Sequence, residues 1–294
     1  IDAAMTADVD AAMKQYVFTL ADKWILSKMN DLVQEVTDNM EKFELGIAVS
    51  KLYDFLWEEF CDWYIEMVKP RLWNDADETK AAALWTLKTV LTTGLKLLHP
   101  YMPFVTEEIF CTLTDEESIM ISKWPEYDKA FDFKADEAAV DKIKEAVRGI
   151  RNVRTEMNVA PSRKASVYVV SPKEDIRAIF TASTNFFAML GYANEVHVQA
   201  DKSGIADDAV SVVIHDAAIY IPFAELVDIE KEIERLTKEQ TKLEAEIKRA
   251  SGMLANPKFV DKAPAAKVEE ERAKLQKYTE TLEQVKERLA NIAK

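Results

Sequence analysis

Apolar side chains in the first 135 residues recur three or four positions apart, which is the period of an α-helix. The first stripe follows Tyr16 and is formed by Ala21, Ile25, Met29, Leu32 and Val36. Two later helices lie on either side of His99-Pro100, one with leucines from Leu84 to Leu98 and a short one opened by Pro103. The segment from Ile119 to Phe133 is expected to be an extended tail. The pattern predicts an antiparallel helix bundle over residues 1–135.

The helix that follows Phe43 has two apolar faces. One face is formed by Leu45, Val49, Leu52, Leu56, Trp63 and Met67, and the other by Tyr53, Trp57, Phe60 and Tyr64. A helix that is apolar on two faces is typically buried among other helices. Pro70 is expected to end it, because proline cannot donate the backbone hydrogen bond of the next turn.

Residues 136–222 change to a mixed pattern. A helix is predicted from about Asp136 to Met157 and another from about Lys173 to Leu190. The strands predicted from β-branched runs are Ala165–Val170, Glu195–Gln199, Ala209–Ile214 and Ala217–Ile221. These elements predict a small α/β module.

Residues 223–294 carry two heptad seams. The first is Leu226, Ile229, Ile233, Leu236, Gln240, Leu243, Ile247, Ala250 and Leu254, and the second is Val268, Leu275, Tyr278, Leu282, Val285, Leu289 and Ile292. Gly252, Pro257 and Pro264 separate them. Two matched seams joined by a turn predict an antiparallel coiled-coil hairpin, so the fold class is mainly α with one small α/β module.

The amino-acid composition limits which classes of function the chain can have. Only 6 of 294 residues are glycine, and no Gly-rich phosphate-binding loop is present. We find no catalytic set and no metal-ligand spacing, and His99 is best interpreted as a structural residue at a helix end. Cys61 and Cys111 lie in apolar runs and are expected to be buried thiols of a reducing, cytoplasmic compartment. No apolar run is long enough to span a membrane, and the start at Ile1 suggests a fragment.

The net charge of −14 disfavours nucleic acid as a partner of the whole surface, yet the charge is unevenly distributed. Residues 225–294 hold 15 basic and 15 acidic residues, so the excess of acid lies before them. Between Lys142 and Lys164 there are seven basic residues and two acidic ones. Lys144, Arg148 and Arg151 share one helix face, which suits a phosphate backbone, although an ordinary solvated face is the alternative.

Three further predictions concern basic and aromatic side chains. Arg154 lies nearer the apolar stripe and is expected to be structural, paired with a carboxylate or carbonyl. Trp24, beside Lys23 and Lys28, suits stacking on an unpaired base, with packing on a neighbouring helix as the alternative. The hairpin tip concentrates positive charge and one aromatic ring, which suit RNA or, alternatively, a hydrophobic plug; these residues are Lys248, Arg249, Lys258, Phe259, Lys262 and Lys267.

Several long segments together resemble the C-terminal part of valyl-tRNA synthetases, which are class I aminoacyl-tRNA synthetases. These segments are Ala21 to Lys28, Trp57 to Glu66 with Lys69, Leu98 to Glu108, Ile150 to Pro161, and Asn256 to Pro264. They occur in the order of that family and cover nearly the whole chain from about residue 14.

The resemblance implies that this chain binds valine-specific tRNA as a monomer, without DNA or membrane as a partner. The bundle would hold the anticodon stem-loop through Lys23, Trp24 and Lys28 and through the basic row formed by Lys144, Arg148 and Arg151. The arm tip would contact the outer corner of the tRNA. The parent enzymes join valine to tRNA using ATP and magnesium. Their nucleotide-binding signatures are absent here, so the resemblance implies no cofactor and no catalysis for this fragment alone.

Two alternatives remain. The same region of an isoleucyl-type synthetase would be expected to carry a C-terminal cysteine cluster, which this chain lacks. A non-enzymatic scaffold that docks a protein through its hairpin would be indifferent to RNA.

Overall fold

A computed structural model describes residue 12 and residues 14–226, 229–256 and 264–292, without the side chains of residues 229–232, 265–266, 287–288 and 290–292. The chain forms two compact units, Ile1–Ile221 and Pro222–Lys294. The mainly helical fold class is confirmed: a helix bundle and a small α/β module make up the first unit, and a helical hairpin makes up the second.

In the part of the bundle that the structure describes there are five α-helices, with two short 3-10 turns in the segment expected to be an extended tail. The helices are α1 (Leu20–Glu41), α2 (Leu45–Asp54), α3 (Glu66–Trp73), α4 (Lys80–Leu98) and α5 (Pro103–Leu113), and the 3-10 turns are Ile119–Ile121 and Lys129–Phe131. The predicted α1 stripe forms its core, since all five of its apolar side chains are buried.

The start of α1 is fixed by a buried polar cluster. Thr19 is the N-cap, and its backbone N–H and hydroxyl both donate to Asp22 Oδ2 at 2.8 Å. Arg71 Nη1 and Nη2 donate to the two oxygens of Asp22 at 2.9 Å, and the Tyr64 hydroxyl donates to Oδ1 at 2.6 Å. Arg71 also donates through Nη2 to the Thr79 carbonyl at 2.7 Å. The cluster therefore ties α1, α3 and the start of α4 together.

The prediction that Pro70 ends the second helix is wrong. A π-helical segment, Phe55–Ile65, joins α2 to α3, and α3 continues through Pro70 to Trp73. Proline removes one backbone hydrogen bond. That loss is tolerated because Met67 and Val68 are buried before it and Arg71 is anchored to Asp22 after it.

The second apolar face of this helix is only half buried, which corrects the expectation. Phe60 and Tyr64 are in the core, whereas Tyr53 and Trp57 are exposed and stack on each other with their ring centroids 6.3 Å apart. The expectation of two buried thiols is also wrong, because Cys61 on the same side is exposed and Cys111 is partly exposed. The sequence pattern does not distinguish the buried pair of this face from the exposed pair, because all four residues are aromatic.

The α/β module begins with a long helix, α6 (Lys134–Glu156), which also packs on α1. Its other elements are β1 (Ala165–Val170), α7 (Glu174–Ala182), α8 (Thr184–Leu190), β2 (Ala193–Gln199), β3 (Val210–Ile214) and β4 (Ala217–Ile221). The helix predicted from Lys173 to Leu190 is broken at Ser183. The strand order is β2-β1-β4-β3, with β1 parallel to β2 and the other pairs antiparallel.

Gly149 brings α6 close to the sheet. A Cβ atom at this position would lie 2.4 Å from Cγ1 of Val212 on β3, far inside van der Waals contact. The glycine therefore allows the helix and the strand to touch. Because α6 contacts both α1 and β3, it is shared between the bundle and the module.

Among the described residues, the second unit contains a short turn of helix, α9 (Phe223–Leu226), and two long helices, α10 (Ile229–Leu254) and α11 (Ala265–Ile292), which pack along each other. Leu236, Ala250, Val268 and Val285 are buried in their seam, as predicted. The seam also contains Glu271, which fills the heptad position between Val268 and Leu275 that the apolar pattern left empty. Its side chain is paired with Lys274 at 3.0 Å.

Candidate nucleic-acid interface

The basic face of α6 does not present all three predicted cations to solvent. Lys144 is 3% exposed, its ammonium group lies 5.0 Å from the centre of the Trp24 ring, and it is ion-paired with Glu59. Burial lowers the pKa of Lys144 below its usual value, and the Glu59 carboxylate partly offsets this. Lys144 is thus a structural bridge between α6 and the π-helical segment rather than a free phosphate ligand.

Arg148 and Arg151 form the accessible part of the row. Both guanidinium carbons lie 5.5 Å from the centre of the Trp63 ring, within the range of cation–π attraction. Arg151 Nε also donates to the Leu190 carbonyl at 2.7 Å, which fixes its position, while Arg148 is exposed. Two charges are therefore held side by side on one indole ring, with remaining N–H groups able to bind phosphate oxygens in a forked geometry.

Sequence reasoning assigned Trp63 to the apolar stripe and overlooked its role beneath the arginines. The spacing contained a signal, since Glu59 and Trp63 are four residues apart and the two α6 residues they serve, Lys144 and Arg148, are also four apart. The spacing alone does not show that the π-helical segment and α6 pack against each other.

The stacking prediction for Trp24 is corrected by its position. The side chain is 0% exposed and lies in the bundle core, so the alternative of packing on a neighbouring helix is the one the structure shows. The ring still interacts with a cation, namely Lys144, but no base can reach it in this arrangement.

Lys23 and Lys28 are partly exposed and already engaged. The Lys23 ammonium lies 5.9 Å from the centre of the Phe133 ring. Lys28 lies 3.6 Å from Glu137, a carboxylate that also accepts from Lys134. The desolvated Glu137 nevertheless has a lowered pKa, because Lys134 and Ser27 donate to it and Lys28 adds its charge. Both lysines of this part of the predicted interface therefore have partners within the protein.

Arg154 is structural, and this prediction is confirmed. It is 4% exposed, and Nη2 donates to the carbonyls of Ala160 and Arg163, at 3.0 Å and 2.5 Å. Its guanidinium carbon lies 5.0 Å from the centre of the Tyr192 ring. Arg154 thereby anchors the loop that leads into β1.

Among the arm-tip residues, Lys258, Phe259 and Lys262 lie outside the described part of the chain. Lys248 and Lys267 are exposed. Arg249 is exposed as well, but it donates through Nε to Glu246 at 2.9 Å and its Nη2 lies 4.0 Å from Glu271. The described portion of the tip therefore offers two lysines, while its arginine belongs to an ion-pair cluster.

Within the described residues, no group of three or more His, Cys, Asp or Glu side chains is placed to hold a metal ion. His99 Nδ1 lies 2.7 Å from the Thr106 hydroxyl, as expected for a structural residue at a helix end. None of the described helices combines the length and apolar character needed to cross a bilayer.

These elements define the class of the protein: a mainly α-helical chain with a helix bundle, a small α/β module and a separate pair of long helices. Known families match both helical parts. The anticodon-binding domain of tRNA ligase matches residues 22–169, and the valyl tRNA synthetase tRNA binding arm matches residues 228–293.

The chain thus belongs to the anticodon-binding domain family of tRNA ligases, and its relatives confirm the resemblance to valyl-tRNA synthetases. It is 50% identical to a valine–tRNA ligase of Clostridium acetobutylicum over 274 residues, or 93% of this chain and 31% of that relative. It is 51% identical to the Clostridium perfringens enzyme, over 92% of the chain and 31% of the relative. The Enterococcus faecalis enzyme is 36% identical over 99% of the chain and 33% of the relative.

The chain therefore spans about a third of the length of the curated relatives it matches. The first match covers most of the predicted bundle and continues into the α/β module as far as residue 169, and the second lies within residues 223–294. The alternatives of an isoleucyl-type region and a non-enzymatic scaffold are not favoured by these comparisons.

Proposed function

We propose that this chain is the tRNA-binding portion of a valine–tRNA ligase. The bundle would bind the anticodon stem-loop and the arm would brace the outer corner of valine-specific tRNA. The observation that carries the bundle contact is the Arg148–Arg151 pair on Trp63. Cations held in place by an aromatic ring lose little side-chain freedom when they bind a phosphate, so they suit a rigid, folded RNA.

The parent enzyme would join valine to tRNA in the cytoplasm, using ATP and magnesium outside this chain. The chain itself would bind RNA as a monomer without a cofactor, and with no role for DNA or a membrane. Two contacts on one rigid tRNA reinforce each other through effective concentration, so each can be weak alone.

The bundle contact is tested by Arg148→Gln, with Lys42→Gln as the control that removes one exposed positive charge elsewhere on the bundle. Filter binding of a valine-specific tRNA transcript is measured over a series of salt concentrations. We expect Arg148→Gln to weaken binding by about tenfold, the loss of one charge-assisted hydrogen bond. The slope of log affinity against log salt should fall by about 0.9. An affinity and slope equal to those of Lys42→Gln would refute the contact.

The arm contact is tested by the double variant Lys248→Gln/Lys267→Gln. Lys277→Gln, an exposed position farther from the tip on α11, is the control. The double variant should lower affinity for full-length tRNA but leave affinity for an isolated anticodon stem-loop unchanged. Equal affinity of the wild-type chain for valine-specific and unrelated tRNAs would refute the proposed valine specificity.

A further inference from the structure

The exposed side of the helix that runs through α2, the π-helical segment and α3 carries a repeat that the proposed function leaves unused. Between residues 53 and 62 its exposed positions come in pairs four residues apart, and each pair is an aromatic ring or a thiol followed by a carboxylate. The other residues of this stretch are partly or fully buried. The row, as we call these six residues, consists of Tyr53 with Asp54, Trp57 with Glu58, and Cys61 with Asp62.

The π-helical geometry explains why a spacing of four residues stays on one side of this helix. An α-helix completes a turn in about 3.6 residues, so side chains four apart drift around it in one direction. A π-helix hydrogen-bonds from residue i to i+5 and has a wider turn, so its drift runs the other way. Because Leu45–Asp54 is α-helical and Phe55–Ile65 is π-helical, the two drifts oppose each other along the row. Turns of π-helix are frequent at functional sites.

The three carboxylates of the row have no counter-charge. Among the described residues, no ion pair involves Asp54, Glu58 or Asp62. The nearest lysines along the chain, Lys51 and Lys69, are paired with other carboxylates. Like charges four residues apart on a helix repel each other. The row therefore destabilises the free chain slightly, and a bound cation would relieve that repulsion.

The two rings of the row leave surface for a ligand although they touch each other. The planes of Tyr53 and Trp57 are 4° from parallel, so each ring can place at most one of its faces against the other. Tyr53 is 62% exposed and Trp57 is 58% exposed. The exposed surface can take a cation, which is attracted to the face of an aromatic ring. A phosphate would instead be repelled by the carboxylates beside the rings.

We propose that the row binds an arginine-rich segment of a protein partner. Charge complementarity supports this occupant, because the row carries three unpaired negative charges and no positive charge. A guanidinium group is planar, so it stacks on an exposed indole while its N–H groups donate to a carboxylate. Trp57 and Glu58 provide these two contacts on adjacent exposed residues. Tyr53 and Asp54 provide a second such pair, so the row suits a segment with more than one arginine.

The inference does not rest on the proposed function, because α6 contacts other residues of the same helix, Glu59 and Trp63. It is tested with the whole chain and a fluorescein-labelled peptide in which arginines alternate with serines. Binding is followed by fluorescence anisotropy at low salt. The variants are Trp57→Leu, which removes a ring, and Glu58→Gln/Asp62→Asn, which removes two carboxylates.

Helix α5 and the loop after it supply matched controls. Phe104→Leu removes a ring that is 91% exposed, and Glu108→Gln/Glu116→Gln removes two exposed charges. Each control should change peptide affinity by less than the corresponding variant of the row. Because Trp57→Leu leaves the net charge unchanged, general attraction of the peptide to an acidic chain would not respond to it.

We expect Trp57→Leu to weaken peptide binding by about 2- to 30-fold, the loss of one cation–π contact. Glu58→Gln/Asp62→Asn should weaken it by about 2- to 30-fold, the loss of two exposed ion pairs. Equal peptide affinity for Trp57→Leu and wild type, with unchanged circular dichroism, would overturn the inference, as would no peptide binding by the wild type. A lysine peptide that binds as tightly would overturn the choice of arginine. Arg148→Gln should weaken tRNA binding but not peptide binding, so this inference and the proposed function fail separately.

Discussion

The buried pair of Asp22 and Arg71 provides the sharpest test of how this bundle is held together. Asp22 is 0% exposed and accepts five hydrogen bonds: two from Arg71, two from Thr19 and one from Tyr64. Arg71→Met would remove the only cation in contact with this carboxylate among the described residues, while the bonds from Thr19 and Tyr64 remain. The expected loss is about 3–5 kcal/mol of unfolding free energy, because a buried charge is left without a counter-charge.

The second half of the test is the double variant Asp22→Leu/Arg71→Met. Removing both charges leaves no buried ion, so we expect the double variant to be more stable than Arg71→Met alone. The coupling energy between the two sites should be about 2 kcal/mol or more, since the groups are in direct contact. Lys51→Met, which removes one partner of an exposed pair with Glu35, is the control and should cost less than about 1 kcal/mol.

The assay is urea unfolding of the whole chain, followed by circular dichroism and by tryptophan fluorescence. The fluorescence arm matters because Trp24 and Trp85 are buried in the bundle and the hairpin of residues 222–294 contains no tryptophan. A loss below about 1 kcal/mol for Arg71→Met would refute the assignment. So would a double variant whose loss equals the sum of the two single losses.

Three further outcomes follow from single contacts. Gly149→Val should lower stability by about 1–3 kcal/mol through overpacking against Val212, and Val212→Ala should restore part of it; thermal melting that shows no rescue would contradict the contact. Glu271→Leu should stabilise the hairpin by about 1 kcal/mol, since it replaces a seam carboxylate with an apolar side chain, and an unchanged or lower urea midpoint would contradict this. Burial and the nearby Asp22 carboxylate hold the pKa of Tyr64 well above its usual value of about 10. The folded state therefore resists ionisation, so stability should fall as pH rises above about 10, and this fall should be smaller in Tyr64→Phe.

The periodic parts of the chain could be predicted from sequence. The α1 stripe, the strands Ala165–Val170 and Ala217–Ile221, and the two hairpin seams follow from spacing alone, because repeated burial at a fixed interval leaves a pattern. The inner face of the sheet could be anticipated for the same reason. Spacing does not show which other helix or strand each element packs against.

The misplaced residues share that cause. Trp24 and Lys144 are buried together, with the lysine ammonium group over the indole ring. The sequence around Lys144 predicts an exposed side chain, because it does not show that Trp24 lies beside it. Glu271 breaks the apolar pattern of its seam although it occupies a seam position. The prediction that Pro70 ends its helix considers only the missing backbone hydrogen bond of proline. The helix continues because Arg71 is held by Asp22, a residue far away in the sequence. Pairs of polar residues brought together by tertiary packing are invisible to a one-dimensional pattern.

The close approach of α6 to β3 at Gly149 also determines which pieces of this chain can be exchanged between relatives. The family match to the anticodon-binding domain ends at residue 169, inside β1, the strand that pairs with both β2 and β4. A chimaera joined there would take α6 from one parent and most of the sheet it packs against from another. Any Cβ donated to position 149, or any larger side chain donated to position 212, would then collide across the junction. A junction after Ile221 keeps helix and sheet together, so recombination between relatives should yield folded chains there far more often than at residue 169.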